Sequence, residues 1–571
     1  MKTTLSFLLS IALLTPVCLW TQTRYAVVIS EIMADPSPAV GLPANEWIEL
    51  KNNTSLPISL QNWRIADAGG QSGPLPNFIL QPDSFVIVCS AGSVPAMSIF
   101  GTTVSVTAFP SLDNDGELLY LKAASGSIIH ALHYSAAWYR NELKKEGGWT
   151  LEMIDPHNPC SGPSNWMAST HPAGGTPGKK NSVDALLTDD TPPQLKRTYS
   201  TDSLTLVLVF DEPLDSLSGA TLSHYSIDGG LSVSSAVTLP PLFNEVALSL
   251  TSPMQAGTVF HLRALNLQDC QGNSLAGEVT VKAGRPSDAR PGDWIINEIL
   301  FNPKPNGNDY VEFYNRGPRV LDAARLFIAN RNTAGAVSSV KPVSSFPFYI
   351  FPGEYLVLTE AAEQLPLHYL VKDPEAVLDI SSLPSFPDEE GTVVSLDAQG
   401  AVLDEVPYKD DWHFKLIDNP EGVSLERIDP GSPSQEAGNW HSAASTAGYG
   451  TPGYKNSQYK STDPVNARIT VSPGIFSPDN DGRDDVATIQ YTVTGSGFVA
   501  NLTIFDAEGR PVRSLVRNGT LGLTGSWNWD GLDEKGKKLP VGPYILFTEI
   551  FNLQGKKERF KNVIVLARNL N

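Results

Sequence analysis

The chain has 571 residues, more than one hydrophobic core normally serves, so several domains of about 100–200 residues each are expected. Its formal charge of −20 at pH 7 repels phosphate backbones and anionic lipid headgroups, which disfavours nucleic acid as a partner. A hydrophobic content of 41% with 46 Gly and 44 Pro suits short strands and many turns, and disfavours long helices or disorder. Composition therefore predicts mostly β structure.

The first residues are typical of a secretory signal. One lysine precedes an apolar run over residues 5–14, which is too short to span a bilayer, so residues 1–21 are predicted to be a signal peptide. A lipid anchor at Cys18 is the alternative, although the preceding Pro and Val make a poor lipobox. No later stretch approaches 18 uninterrupted apolar residues, so the mature chain is expected to be secreted or at the cell surface, with no transmembrane segment.

Three cysteines remain after such a signal, namely Cys89, Cys160 and Cys270, and at most one disulfide can form among them. An oxidising compartment permits any of the three pairings, so the pairing stays open. No CxxC spacing or Cys/His cluster occurs, which disfavours a structural zinc site.

A duplicated set of sequence blocks indicates how the chain is organised. LEMIDP, NW and GGTPGKKNS, within residues 151–182, return as LERIDP, NW and GYGTPGYKNS within residues 425–457, and the IDP and NW blocks are separated by the same 274 residues. Upstream, SEI and EWIEL match NEI and DYVEF, and hairpins are predicted to turn at Ser125–Gly126 and at Gln399–Gly400. Two copies of one domain are therefore predicted, over residues 22–183 and 290–458.

Short strands separated by turns every 8–12 residues predict a β-sandwich in each copy. On the SEI or NEI strand, EWIEL or DYVEF, the hairpin, and the LE-IDP, NW and TPG tail, each copy resembles a lamin-tail domain. This family is an immunoglobulin-like β-sandwich found in nuclear lamins and in many exported bacterial proteins. The resemblance implies binding or anchoring, although a fold alone does not determine function.

Two further units complete the predicted organisation. Residues 187–285 carry VFDEPLD and a D-x-x-GN turn, and are similar to bacterial Ig-like domains. Residues 466–571 carry FSPDNDGRDD, FDAEGRPV and WDGLDEKGKKLPVGPY, and resemble the Ig-like domain of flagellar hook-capping proteins and the C-terminal domains of gliding-motility-associated surface proteins. The second resemblance implies an address read by type IX secretion. The predicted fold class is all-β, as tandem immunoglobulin-like β-sandwiches.

The run FSPDNDGRDD is the sharpest candidate for metal binding, because calcium prefers hard oxygen ligands and Gly482 permits a tight turn. It lacks the twelve-residue EF-hand pattern and its closing Glu, so a polar turn between strands is the alternative. The candidate calcium ligands are Asp479, Asp481, Asp484 and Asp485. No other cofactor is predicted.

Two repeated glutamate pairs resemble the paired carboxylates of general acid–base catalysis. They are Glu31 with Glu49 and Glu298 with Glu312. Because both pairs lie in strand motifs of a binding-type fold, hydrogen bonds to loop backbone or exposure on a sheet face explain their recurrence better. G-x-S-x-G, HExxH, P-loop and G-x-G-x-x-G signatures are absent from suitable contexts, which disfavours an enzyme.

Four tryptophans recur at matched positions and could be core or loop anchors or, alternatively, sugar-stacking platforms. They are Trp138 with Trp412 and Trp166 with Trp440. The anchor interpretation is favoured, because duplicated tryptophans in β-sandwiches are more often core or loop anchors.

The sequence predicts a non-catalytic secreted or cell-surface scaffold or adhesion protein. Its expected partners are an extracellular protein or polysaccharide and, through the C-terminal domain, the secretion machinery. One alternative is a polysaccharide-binding accessory protein, which requires exposed aromatic side chains. Another is an extracellular hydrolase, which requires a deep cleft between domains with carboxylates about 5–10 Å apart.

Overall fold

The computed structural model describes residues 23–417, 419–460, 467–553 and 555–568, so the predicted signal peptide and Cys18 lie outside the described residues. We use four names for the predicted units: the first repeat (22–183), the middle unit (187–285), the second repeat (290–458) and the C-terminal unit (466–571). The described chain is nearly all β, and every sheet draws its strands from only one of these ranges. None of its helices has the length and apolar character needed to cross a membrane.

The first repeat contains a six-stranded sheet in the order β11-β10-β1-β2-β6-β7, a three-stranded sheet β4-β8-β9 and the short pair β3-β5. All neighbours are antiparallel except β6 and β7. The strands are β1 Val27–Met33, β2 Trp47–Asn52, β3 Ile58–Ser59, β4 Arg64–Ala66, β5 Ile79–Leu80, β6 Phe85–Ser90, β7 Thr103–Val106, β8 Leu118–Lys122, β9 Ile128–His133, β10 Leu151–Met153 and β11 Trp166–Ala168.

Strands β1 and β2 are buried on both faces, which explains why their sequences are nearly continuous runs of apolar residues. One face carries Ile48 and Leu50 into the main core between the sheets. The other face carries Met33 and Trp47 into a smaller cluster. The hairpin predicted at Ser125–Gly126 is confirmed, because that turn joins β8 to β9.

The second repeat has the same order, β30-β29-β19-β20-β25-β26, together with a sheet β23-β22-β27-β28 and the pair β21-β24. The turn at Gln399–Gly400 joins β27 to β28, as predicted. The strands are β19 Trp294–Leu300, β20 Tyr310–Asn315, β21 Leu321–Asp322, β22 Leu326–Arg331, β23 Val337–Pro342, β24 Tyr349–Ile350, β25 Tyr355–Thr359, β26 Val377–Asp379, β27 Val393–Asp397, β28 Val402–Val406, β29 Leu425–Arg427 and β30 Trp440–Ser442.

The middle unit packs two sheets, β12-β13-β16-β15 and β14-β17-β18, around one core. Its strands are β12 Leu195–Ser200, β13 Thr205–Phe210, β14 Tyr225–Ile227, β15 Val233–Leu239, β16 Glu245–Leu250, β17 Val259–Ala264 and β18 Val279–Gly284. A disulfide between Cys160 and Cys270 joins it to the first repeat and resolves the open pairing. Cys89 is buried and unpaired, and burial raises the pKa of its thiol to about 11.

The C-terminal unit packs the sheets β31-β33-β36 and β32-β38-β37-β34-β35 around a core that includes the fully buried Trp529. Its strands are β31 Arg468–Ser472, β32 Ile475–Phe476, β33 Ala487–Thr492, β34 Phe498–Phe505, β35 Pro511–Thr520, β36 Thr524–Trp529, β37 Gly542–Asn552 and β38 Lys557–Leu566.

Helices are single turns within the described chain. The α-helices are α1 Val94–Met97, α2 Ser216–Gly219 and α3 Leu365–His368. The 3-10 helices are Ala91–Ser93, Ala136–Tyr139, Lys144–Glu146, Gly162–Asn165, Leu222–His224, Ala323–Arg325, Pro374–Ala376, Asp410–Trp412, Ala437–Asn439 and Ser445–Ala447.

Candidate functional site

Three glutamates lie side by side across the main sheet of the first repeat. Glu31 on β1 is paired in register with Glu49 on β2 and with Glu152 on β10. All three residues are fully buried, and none is in an ion pair among the described residues. Sequence reasoning paired Glu31 with Glu49 but missed Glu152, although it is the Glu of the repeated LE-IDP block. We call these three residues the first carboxylate cluster.

The TPG loop of the first repeat, residues 174–183, folds over this cluster. The N–H of Thr176 donates to Glu31 Oε1 at 2.8 Å, and the N–H of Gly178 donates to Glu49 Oε2 at 2.6 Å. These bonds satisfy backbone donors that the irregular loop itself could not pair. The hydrogen bonds to loop backbone that the sequence predicted for this glutamate pair are therefore present.

The third carboxylate fastens the end of the same loop. Ser182 Oγ donates to Glu152 Oε2 at 2.7 Å. Thr176 Oγ1 lies 2.9 Å from Glu152 Oε1 and 3.4 Å from Glu31 Oε2, yet a hydroxyl has only one proton to donate. A proton on Glu31 allows Glu31 to donate to Thr176 Oγ1 while Thr176 Oγ1 donates to Glu152, so both contacts are favourable.

The second repeat builds an equivalent cluster from three glutamates at the corresponding register positions. Glu298 on β19 is paired with Glu312 on β20 and with Glu426 on β29, and all three are fully buried. We call them the second carboxylate cluster, and residues 449–458 the second TPG loop. The loop donors are Thr451 N–H to Glu298 at 2.9 Å, Gly453 N–H to Glu312 at 2.7 Å and Ser457 Oγ to Glu426 at 2.8 Å.

The second cluster has one extra hydroxyl donor. Ser424 Oγ donates to Glu298 at 2.6 Å, as Thr150 Oγ1 donates to Glu31 at 2.7 Å in the first repeat, but the hydroxyl of Tyr310 also donates to Glu298. In the first repeat, Trp47 takes the place of Tyr310, and its indole N–H has no hydrogen-bond partner among the described residues. Close packing also explains the Gly before TPG, because a Cβ at Gly450 would lie 2.7 Å from the Tyr310 hydroxyl oxygen.

Burial raises the pKa of five of the cluster carboxyl groups, those of Glu31, Glu49, Glu298, Glu312 and Glu426. Burial, followed by the charges of neighbouring glutamates, raises the pKa of Glu31 and of Glu312 well above its ordinary range. Burial raises the pKa of Glu49 to about 8 and, together with the charge of Glu298, raises that of Glu426 to about 8. The pKa of Glu298 is also raised by burial.

The arrangement is suited to holding a loop. Every cluster carboxylate is enclosed, so none of the six presents an oxygen to a solvent-borne substrate in this structure. Their acceptor oxygens are directed at the loop donors, and catalysis by acid–base transfer needs contact with the reacting group.

The predicted calcium ligands are only partly brought together. Asp479, Asp481 and Asp485 each offer a carboxylate oxygen within 4.8 Å of the others, whereas Asp484 lies outside this group. Gly482 has φ +86°, the left-handed conformation that the sequence predicted for a tight turn. Three of the four predicted residues could therefore hold a cation.

A second acidic group lies at the junction of the first repeat and the middle unit. Asp189, Glu212 and Asp269 have carboxylate oxygens within 4.8 Å of one another, next to the Cys160–Cys270 disulfide. Burial, then the charges of the two aspartates, raises the pKa of Glu212 to about 8. These oxygens are of the type that hard cations accept. VFDEPLD and the D-x-x-GN turn supply two of the three, but nothing in either motif indicates that they meet.

The repeated tryptophans belong mainly to the interior. Trp138, Trp166 and Trp440 are buried, and Trp412 packs half-buried against the core of the second repeat. The rings of Trp138 and Trp166 lie 5.9 Å apart. The anchor interpretation is confirmed for the three buried residues, which offer no open ring face to a sugar.

A cleft of about 660 Å³ lies between the second repeat and the C-terminal unit. The second TPG loop forms part of its wall, and residues 523–525 form part of the opposite side. Tyr454 and Tyr459 line it together with Lys372 and Lys455. Sequence reasoning did not identify this cleft, because its walls come from separate units.

Most of the first repeat matches a known family model. Within this all-β chain, a family model described as Lamin Tail Domain matches residues 21–136. No curated protein sequence matches the chain.

Solved structures with some likeness include a bacterial S-layer protein, rSbsC(31-844), at 14% identity and TM-score 0.16, covering 67% of this chain and 55% of that one. Dimeric latent PorU from Porphyromonas gingivalis is 11% identical with TM-score 0.15, covering 71% and 35%. A tetra-tandem repeat from the extending region of a large adhesion protein is 12% identical with TM-score 0.13, covering 95% and 100%. The chain spans about half or less of the S-layer and PorU structures.

Proposed function

We propose that this protein is a non-catalytic scaffold, exported and displayed at the cell surface, where it presents binding surfaces on a series of β-sandwiches. The proposal rests on what the repeated polar residues do in the structure. In both repeats the duplicated Glu, Thr, Gly and Ser positions fasten the TPG loop and are enclosed by it. The duplication therefore preserves a structural device, which suits a protein built for display.

The proposed units are a lamin-tail domain, a bacterial Ig-like domain, a second lamin-tail domain and a terminal sorting or attachment domain. The match over residues 21–136 supports the first assignment, and the shared sheet order of the two repeats supports the third. In the terminal unit, Trp529 Nε1 donates to the carbonyl of Leu532 at 3.1 Å. The Tyr544 hydroxyl donates to the carbonyl of Pro540 at 2.7 Å, so the WDG and LPxGxY residues stabilise this fold.

The absence of catalysis is part of the proposal. A hydrolase that used the repeated glutamates would need an opening above them, and the TPG loops occupy that space. If the protein hydrolysed an extracellular polysaccharide through these residues, replacing Glu31 and Glu298 by Gln would abolish the activity. We expect purified protein to release no reducing ends from acidic or neutral polysaccharides, before or after this replacement.

Location tests the display role. The full chain and a variant lacking residues 468–571 would be produced in a cell that carries type IX secretion, and surface protein would be measured by antibody labelling of intact cells. A matched control lacks residues 22–183 but keeps residues 1–21 and the C-terminal unit. We expect surface labelling of the full chain and the control, and none of the variant lacking residues 468–571.

Two results would contradict the proposal. Surface retention of the chain without residues 468–571 would show that the terminal unit is not the sorting domain. Failure of the full chain to reach the surface would exclude display itself.

A further inference from the structure

The cleft between the second repeat and the C-terminal unit contains basic and aromatic side chains that loop fastening does not require. Lys372 Nζ lies 4.0 Å from the ring centre of Tyr454, and Lys455 Nζ lies 3.9 Å from that of Tyr459. Neither lysine forms an ion pair within the described part of the chain. A lysine held over an aromatic ring without a carboxylate partner keeps its charge available to a ligand.

The charge of the cleft is opposite to that of the chain. The sequence contains 61 acidic and 41 basic residues, yet the residues lining the cleft include no Asp or Glu among those described. A cleft lined by one sign of charge concentrates ligands of the opposite sign. The acidic remainder of the chain repels anions, so an anionic ligand should bind in this cleft rather than elsewhere on the surface.

The shape of the cleft is set by direct contacts between the two units. Ser445 Oγ donates to the carbonyl of Thr520 at 2.9 Å, and the hydroxyls of Thr446 and Tyr491 are 2.6 Å apart. At about 660 Å³ the volume is within the range of about 300–1,000 Å³ typical of ligand sites. A site of this size holds several sugar rings and is much larger than one inorganic phosphate.

We propose that this cleft binds an acidic oligosaccharide whose carboxylates lie against Lys372 and Lys455. A sugar ring has apolar faces and a rim of hydroxyl groups. The lining matches both features, because Leu370 is 61% exposed at the cleft and the side chains of Thr446 and Thr524 carry hydroxyl groups. Charge selects an acidic sugar over a neutral one, and the apolar contacts favour a saccharide over a free inorganic anion.

The first repeat provides a matched control. Lys179 and Lys180 occupy the TPG-loop positions of Tyr454 and Lys455. Lys180 is paired with Asp184 at 2.6 Å, and neither lysine lies over an aromatic ring among the described contacts. The first repeat therefore has the charge at the corresponding loop but lacks the lysine–tyrosine arrangement.

Binding by the purified chain is independent of where a cell places the protein, so its outcome is separate from that of the display experiment. Isothermal titration calorimetry at low ionic strength would use tetragalacturonate as the acidic probe. Neutral galactotetraose, inorganic phosphate and a tetraglutamate peptide are the comparison probes. We expect tetragalacturonate to bind at least about tenfold more tightly than each of the others. Raising the salt concentration should weaken that binding, because the lysines are exposed.

The double variant K372A/K455A should lose at least about tenfold in affinity for tetragalacturonate, whereas K179A/K180A should match the parent chain. Unchanged thermal unfolding of both variants would show that the loss is local. The proposal is overturned if tetragalacturonate does not bind, or if the neutral sugar, phosphate or peptide binds as tightly. Equal affinity losses in the two double variants would overturn it as well.

Discussion

The two repeats share their interior but differ at the surfaces where they meet other units. Both hold a buried glutamate triplet under a TPG loop with the same register and the same backbone donors. The first repeat is joined to the middle unit by the Cys160–Cys270 disulfide. The second repeat contacts the C-terminal unit through hydrogen bonds such as Ser457 O with Leu523 N–H, at 2.9 Å.

This difference separates structural residues from residues free to take on a role. Positions that recur in both repeats fasten the loop, and their chemistry is directed inward. Positions that differ, such as Lys179 against Tyr454, lie on the outer side of the loop. Recognition of a partner is therefore expected from the divergent positions, even though the repeated motifs dominate the sequence.

The largest expected effect is loss of a cluster glutamate, and it should be greater in the second repeat. E298A leaves the buried backbone N–H of Thr451 and the hydroxyl of Tyr310 without an acceptor, whereas Ser424 Oγ keeps its contact with the Tyr449 carbonyl at 3.3 Å. An unsatisfied buried donor costs about 1–3 kcal/mol, so we expect about 3–5 kcal/mol of destabilisation. E31A should cost less, because Glu31 has fewer donors. Urea unfolding and amide hydrogen exchange of the TPG loops would measure both changes.

Glu142, whose side chain is 86% exposed, supplies the control variant E142A, which should leave both measurements unchanged. An E298A chain with a fully protected second TPG loop would contradict the role assigned to the second cluster.

Loss of the Cys160–Cys270 disulfide should have the next largest effect. That effect should be confined to the junction between the first repeat and the middle unit. Replacing Cys160 and Cys270 by Ser opens a link between residues 110 positions apart, and removal of such links usually costs about 2–4 kcal/mol. We expect faster proteolysis of the linker around residues 184–194. The junction beside Thr520 should show unchanged hydrogen exchange. Protection of the linker equal to that of the parent would mean that the noncovalent contacts alone hold this junction.

Much of the fold was predictable because β-sandwiches leave periodic signals. Alternating strands, hairpin turns such as Gln399–Gly400, and the duplicated text predicted an all-β chain, and the structure confirms it. The disulfide pairing could not be predicted, because strand patterns do not report the distance between cysteines in different units. The pairing depends on how two units dock.

The candidate sites were less predictable, for the same reason. Glu152 belongs to the LE-IDP motif, but only the pairing of β1 with β10 places it beside Glu31. Asp484 was grouped with its sequence neighbours, although its left-handed backbone, with φ +53°, places it apart from their carboxylates. Local spacing alone did not reveal either arrangement.

The pH dependence of stability should be present in both repeats. The pKa of Glu49 and that of Glu426 rise from an ordinary 4.5 to about 8 in the folded chain. Between these values the folded state holds protons that the unfolded state has released, so stability present below pH 4.5 falls as the pH rises towards 8. We expect the free energy of unfolding to fall throughout this window.

E49Q and E426Q remove the titrating groups, and each should flatten this decline in denaturant unfolding measured from pH 5 to 8. E142Q, at an exposed position, should keep the slope of the parent chain. Parallel slopes in all three variants would show that these glutamates titrate normally.

Calcium is expected to give the smallest effect, and the structure sharpens which ligands should matter. Asp479, Asp481 and Asp485 converge, so D481N should weaken binding, whereas D484N should retain it. Weak extracellular sites have dissociation constants of about 10⁻⁴–10⁻³ M, and tenfold excess over such a value stabilises by about 1.4 kcal/mol. Calorimetric titration with Ca²⁺ and thermal unfolding of the C-terminal unit would measure both quantities. Equal weakening by D484N and D481N would indicate a nonspecific response to net charge, and no heat of binding would leave the run as a polar turn.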